Sequence, residues 1–163
     1  MAAASLAFLV GVLLFGGPNA GEQNPDPGRI DAKSNGVILT STRPEGSFPV
    51  AAAILASSPP LLALHFTEVT NPSQTPFQIF ASLSYKPAGQ TEAVKILLGN
   101  AALYPPDRPG GFVLRTSSAF RKLKASEPTN VRLVLEMKRI HPQTPWSAVE
   151  VTVAPPEWRN ENP

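Results

Sequence analysis

Two histidines, His65 and His141, are the only imidazoles in the chain, and they bound its chemistry at once. A nucleophilic triad needs a serine within hydrogen-bond reach of a histidine that a carboxylate orients. His65 shares one face of an alternating apolar stretch with Leu61, Ala63 and Val69, so it reads as a packed imidazole satisfied by one backbone partner. His141 stands in Ile140-His141-Pro142 at the exit of a strand and reads as a solvated loop residue. A hydrolase built on either, with a nearby serine, is the least favoured of the functional readings. Glycoside hydrolysis needs two carboxylates in one cleft at about 5 to 9.5 Å, whereas Glu68, Glu92, Glu136 and Glu150 fall on different segments. With no cysteine, disulfides, thiolate metal sites and cysteine nucleophiles are excluded. Asp26, Asp31 and Asn71 are too sparse for a calcium loop. Phosphate-cradling glycine loops, zinc helix motifs and the Gly-x-Ser-x-Gly elbow are missing from the sequence. No catalytic residue, metal or cofactor is expected, and the chain reads as a non-enzyme.

Binding chemistry is better represented. Between residues 115 and 139 lie Arg115, Arg121, Lys122, Lys124, Arg132, Lys138 and Arg139, against Glu127 and Glu136. Arg121, Lys122 and Lys124 are candidate acceptors for an acidic partner or an anionic polymer. The competing use of such residues is a solvated edge that repels other strands. Tyr104, Trp146 and Trp158 lie in proline-rich segments, where an aromatic ring can stack on a sugar, sit in a protein interface or close the end of a domain. The net charge of +2 and pI near 9.2 reflect a small basic excess, so a nucleic-acid partner is not implied.

The elements that must position these residues follow from composition and period. A chain of 163 residues makes one ordinary domain. Only 16% of residues are charged, and 19 prolines against 11 glycines favour strand ends and loops over helix interiors. Residues 2–17 are an apolar run broken only by Ser5, shorter than the roughly 20 residues needed to span a bilayer. With Pro18-Asn19-Ala20 behind it, the run reads as an export signal over residues 1–20. If uncleaved, it is a membrane anchor. Residues 21–35 have little to bury and read as a flexible linker.

From residue 36 the period becomes two. Residues 37–42 are β-branched and short; residues 48–56 are alanine-rich and ambiguous, with strand slightly preferred to helix; residues 61–69 are apolar on both faces. Phe77, Ile79, Ala81, Leu83 and Tyr85 alternate with Gln78, Phe80, Ser82 and Ser84, and residues 94–98 continue the pattern. Residues 112–114 form a short strand. Ser117 and Ser118 can cap a helical turn that turns Phe120 and Leu123 inward. Val131, Leu133, Leu135 and Met137, then Val149, Val151 and Val153, complete the set before Pro155-Pro156. The expected fold is all-β: a single antiparallel β-sandwich of seven or eight strands over residues 36–156, with one short helical turn and a tail at 157–163.

The order of segments resembles a known family. Pro76-Phe77-Gln78-Ile79-Phe80-Ala81-Ser82-Leu83, Leu97-Leu98-Gly99, Ala102-Leu103-Tyr104 and Arg108-Pro109-Gly110-Gly111-Phe112-Val113-Leu114 resemble the carboxy-terminal β-sandwich of tyrosinases and polyphenol oxidases. Ala119-Phe120-Arg121-Lys122-Leu123, Val131-Arg132-Leu133-Val134-Leu135 and Ala148-Val149-Glu150-Val151 look like its short helix and final strands, and Arg43-Pro44 like its start. The likeness covers residues 37–153 and rests on hydrophobic and turn patterns. Those oxidases bind copper in a helical domain that has no counterpart in this sequence, and no position here matches the family's site-plugging residue. The resemblance therefore implies an accessory role, shielding a site or helping it mature.

Together these readings predict an exported, non-catalytic sandwich that binds or shields another envelope or secreted protein. The alternatives are a carbohydrate or envelope-polymer binding module using Tyr104, Trp146 or Trp158 beside the basic residues, and a membrane-tethered subunit of a larger complex if residues 1–20 stay attached.

Overall fold

The computed structural model describes residues 36–143, 145, 146 and 148–160. The export segment and linker expected over residues 1–35 lie outside them. In chain order the elements are β1 (Val37–Thr40), β2 (Glu45–Pro49), α1 (Ala52–Ser57), β3 (Leu61–Thr70), β4 (Phe77–Lys86), β5 (Val94–Ala102), β6 (Gly110–Arg115), α2 (Ser117–Lys124), β7 (Thr129–Arg139), β8 (Glu150–Val153) and β9 (Glu157–Arg159). They make two antiparallel sheets. One runs β1-β8-β3-β6, with β9 also paired to β3, and the other runs β2-β7-β4-β5. The fold is an all-β sandwich, with nine strands and two short helices among the described residues.

The alternation seen in the sequence is the alternation of burial. Phe77, Ile79, Ala81, Leu83 and Tyr85 of β4 are buried, as are Val131, Leu133, Leu135 and Met137 of β7 beside them. Val149, Val151, Val153, Leu62, Leu64 and Phe66 face them from the other sheet and join one core. Each fully buried Leu or Phe contributes about 1.5–3 kcal/mol, and burial on one face alone fixes which way each strand faces. Where the two sheets meet at the β1/β2 margin, Gly46 is pressed against Val37 Cγ1 and Leu39 Cδ2, leaving no room for a Cβ.

Four local readings are corrected by the structure. The ambiguous stretch divides: Phe48 lies in β2 on the core side, while Ala52–Ser57 is helical, with Ser58 at φ 50° terminating it. Alanine favours helix, and Ile54 and Leu55 supply the contact with the core. Second, the stretch expected to be a tail includes β9, which pairs Arg159, Trp158 and Glu157 with Leu61, Leu62 and Ala63. Pro155-Pro156 redirects the chain instead of ending the sheet. Third, α2 begins after Thr116, not at a serine cap. The Thr116 hydroxyl, fully buried, donates to the Pro59 carbonyl, and its amide donates to the Pro60 carbonyl at 2.8 Å. Phe120 and Leu123 do turn inward. Fourth, His65 is not packed. It points outward from β3, and a bulge between Phe66 and Glu68 returns Val69 to the core side, so the two residues do not share a face.

Candidate functional site

The strands run between two ends. At one end, called the upper, lie the β1–β2, β3–β4, β5–β6 and β7–β8 connections; α1, α2 and the β4–β5 turn lie at the lower end. The predicted binding residues divide between them. Tyr104 follows β5 at the upper end and is 97% exposed. Trp146, also at the upper end, is half-buried: its Nε1–H donates to the Ser41 carbonyl at 2.9 Å, and the Arg139 guanidinium lies 5.9 Å from its ring centroid. It ties the β7–β8 connection to the β1–β2 turn. Trp158 is at the lower end, half-buried, its ring meeting Phe120 edge-on at 5.6 Å between centroids. The three aromatics therefore form no common platform, and both tryptophans contribute to packing.

Arg121, Lys122 and Lys124 project from α2 at the lower end, all three exposed. Arg121 and Lys124 line a cleft of about 400 Å³ together with Ser58, Ser117 and Phe120. The Lys124 ammonium donates to the Ala56 carbonyl of α1 across a long 3.5 Å contact. No ion pair among the described residues neutralises Arg115, Arg121, Lys122 or Lys124, whereas Lys95, Lys138 and Arg159 each have a glutamate partner.

The outer face of β3 carries a cluster that the sequence reading did not assemble. His65 Nε2 lies 3.5 Å from Glu157 Oε1 on β9, and Arg159 holds the same carboxylate. The hydrogen bond from Arg159, then its charge and that of His65, keep the Glu157 carboxyl below its ordinary value against an opposing desolvation effect. Gly111 of β6 sits beside the ring, where a Cβ would come within 3.1 Å of Nδ1 and 2.8 Å of the Leu64 carbonyl oxygen. Two members of a triad are thus adjacent on an open face, and among the described residues no serine or threonine hydroxyl bonds the imidazole. Its evident effect is to join β9 to β3. His141 is exposed in the β7–β8 connection, as expected.

A second surface was also missed. Among the described residues the exposed large hydrophobic side chains are Val94 (38%), Leu97 (60%), Tyr104, Val113 (54%) and Ile140. All but Ile140 belong to β5, β6 or the connection between them. These are the edge strands on one side of the sandwich, close enough that Gly99 of β5 touches Leu114 of β6. The signal in the sequence was Leu97-Leu98: adjacent leucines in a period-two strand cannot both face the core. A bulge between the Ala81–Gly99 and Ser82–Leu97 pairs lets Leu98 pack and leaves Leu97 outside.

An antiparallel two-sheet sandwich with an apolar margin and a basic cleft is the class these features define. Comparison with protein-family models, curated proteins and solved structures returned no match to this chain. No helix among the described residues is long and apolar enough to cross a membrane.

Proposed function

We propose that the chain is an exported, non-catalytic β-sandwich that binds or shields another envelope or secreted protein through its β5–β6 margin. The supporting observation is the gathering of Val94, Leu97, Tyr104 and Val113 on that side, in a molecule whose other exposed faces are mainly polar or charged. Leu97 projects from the outer face of the four-stranded sheet and Val113 from the outer face of the other, with the fully exposed Tyr104 in the connection between β5 and β6, so aliphatic and aromatic side chains flank this margin on both sides, a composition enriched in protein interfaces. Export rests on the apolar run at residues 2–17. The shielding role accords with the resemblance to the oxidase accessory sandwich.

The test is a quantitative pull-down from the envelope fraction, comparing the natural chain with Leu97→Asp and Val113→Asp. One stoichiometric partner, lost from both variants, supports the reading; no partner, or one retained by both, overturns it. Mass spectrometry of the mature amino terminus separates secretion, with a start at Gly21, from anchoring, with residues 1–20 retained. The sugar-binding reading now depends on Tyr104, since the tryptophans are engaged elsewhere. Glycan binding abolished by Tyr104→Ala would favour it.

A further inference from the structure

We infer that the cleft between α1 and α2 is a docking site for an acidic, extended protein segment, whose carboxylates pair with Arg121 and Lys124. The site is separate from the β5–β6 margin and does not depend on what that margin binds.

Three observations converge. The cleft is lined by two cations, two hydroxyls (Ser58 and Ser117) and the Phe120 ring, and it contains no acidic lining residue. Arg121 and Lys124 are three residues apart on one helix, so they present their charges on one side of it. Neither is neutralised by a carboxylate among the described residues, and Arg115 and Lys122 near them are likewise unpaired. The remaining contact of Lys124, 3.5 Å to a neutral carbonyl, is long enough to be exchanged for a shorter ion pair with a carboxylate.

Dimensions select the occupant. From Ser117 to Lys124 the helix rises about 10 Å at ~1.5 Å per residue, the length of roughly three residues of extended chain at ~3.3 Å each. Glutamate or aspartate side chains on such a segment can reach Arg121 and Lys124 together, with the Ser117 hydroxyl as a further donor, the Ser58 hydroxyl being engaged by the Leu55 carbonyl. A bilayer or a long polyanion needs a broad single-sign field. Here the sheet faces carry Glu45, Glu136, Glu150 and Glu157 among their cations, and among the described residues the cations without a carboxylate partner are split between α2 and, at the opposite end, Arg43 and Arg108, so no single-sign field spans the molecule.

The experiment is fluorescence anisotropy of a labelled tetraglutamate peptide titrated with the full chain, using tetraglutamine as the comparison. Tetraglutamate is expected to bind, tetraglutamine not to bind, and binding to weaken as salt rises. Arg121→Gln and Lys124→Gln should each reduce affinity about tenfold, while Arg43→Gln at the upper end should leave it unchanged. Both positions are exposed, and circular dichroism checks that the variants fold. Lys124→Glu should lose tetraglutamate and gain a tetralysine peptide. No binding of tetraglutamate, or equal losses in all the glutamine variants, overturns the inference. So does binding of anionic phosphatidylglycerol vesicles, with the same dependence on Arg121 and Lys124, in place of the peptide.

Discussion

A single hydrogen replaced by a methyl group is enough to test how tightly the two sheets close on each other. Gly46 lies on the core side of β2, and a Cβ there would overlap Val37 Cγ1 and approach Leu39 Cδ2 to 3.0 Å, both fully buried. Val37 cannot withdraw without opening the β1–β8 ladder, in which it pairs with Val153. Gly46→Ala should therefore cost about 1–3 kcal/mol in urea or thermal unfolding. Gly99→Ala is the control: its Cβ meets only the Leu114 side chain, whose end can rotate, and it should cost less. The Glu157 carboxyl offers a test of electrostatics. Because Arg159 depresses it in the folded chain, its contribution is present above the ordinary carboxyl value of about 4.5 and is lost as pH falls through the lower folded value. The group is fully exposed, so the contribution is small and screened. In an NMR titration its midpoint should lie below the ordinary carboxyl value and move up in Arg159→Gln. His65 shows what sequence alone could not supply at this scale. Its apolar neighbours Leu61 and Ala63 suggest a packed ring, yet among the described residues no second layer covers the outer face of β3, and Ala63 is buried by adjacent strands while the longer imidazole reaches solvent.

Strands were legible wherever one face is dry and the other wet, and they became illegible where bulges break that rule. β4, β7 and β8 are legible because every second residue is apolar over at least three repeats; burial keeps that period through β4, while in β7 and β8 the neighbouring strands also cover Val134 and Thr152. β3 was read as one uninterrupted period, but the extra residue at Thr67 shifts its pairing with β8, and a shift of one reverses every side chain beyond it. β9 escaped for a different reason: three residues after a diproline carry no periodic signal, and the strand exists because Trp158 finds Phe120 and the free lower half of β3. Its contribution can be measured. Trp158→Ala removes a half-buried ring from the core margin and should cost about 2–4 kcal/mol, equivalent to a fall in Tm of roughly 10 °C for a domain of this size. Were residues 157–163 a passive tail, neither this variant nor truncation after Pro156 would change the melting temperature.

At the scale of the molecule, both edges of each sheet are without strand partners among the described residues, and the two sides treat that exposure differently. At the β1/β2 margin the strands are short and the sheets close on Gly46. At the β5/β6 margin, β5 presents nine residues with Lys95 as the only charge and no proline, together with exposed Val94 and Leu97. Such an edge is a template for pairing with another chain. Two features restrain it: the bulge at Leu98, which interrupts the ladder, and Lys95, whose ammonium reaches Glu45 at 3.2 Å across the outer face of the four-stranded sheet. The two residues belong to opposite edge strands of that sheet, so the pair can form only because twist raises diagonal corners toward each other. Lys95 thus acts as both a clamp on sheet curvature and a charge that must be desolvated before another strand can approach. Lys95→Val removes both restraints while raising β propensity. In sedimentation velocity it should convert the chain to a concentration-dependent dimer or larger species, and Lys95→Glu should not, since it keeps a charge on the edge while breaking the pair with Glu45. If Lys95→Val remains monomeric, the bulge alone protects the edge, and binding at this margin must proceed through the side chains of Leu97, Tyr104 and Val113 and not through strand addition.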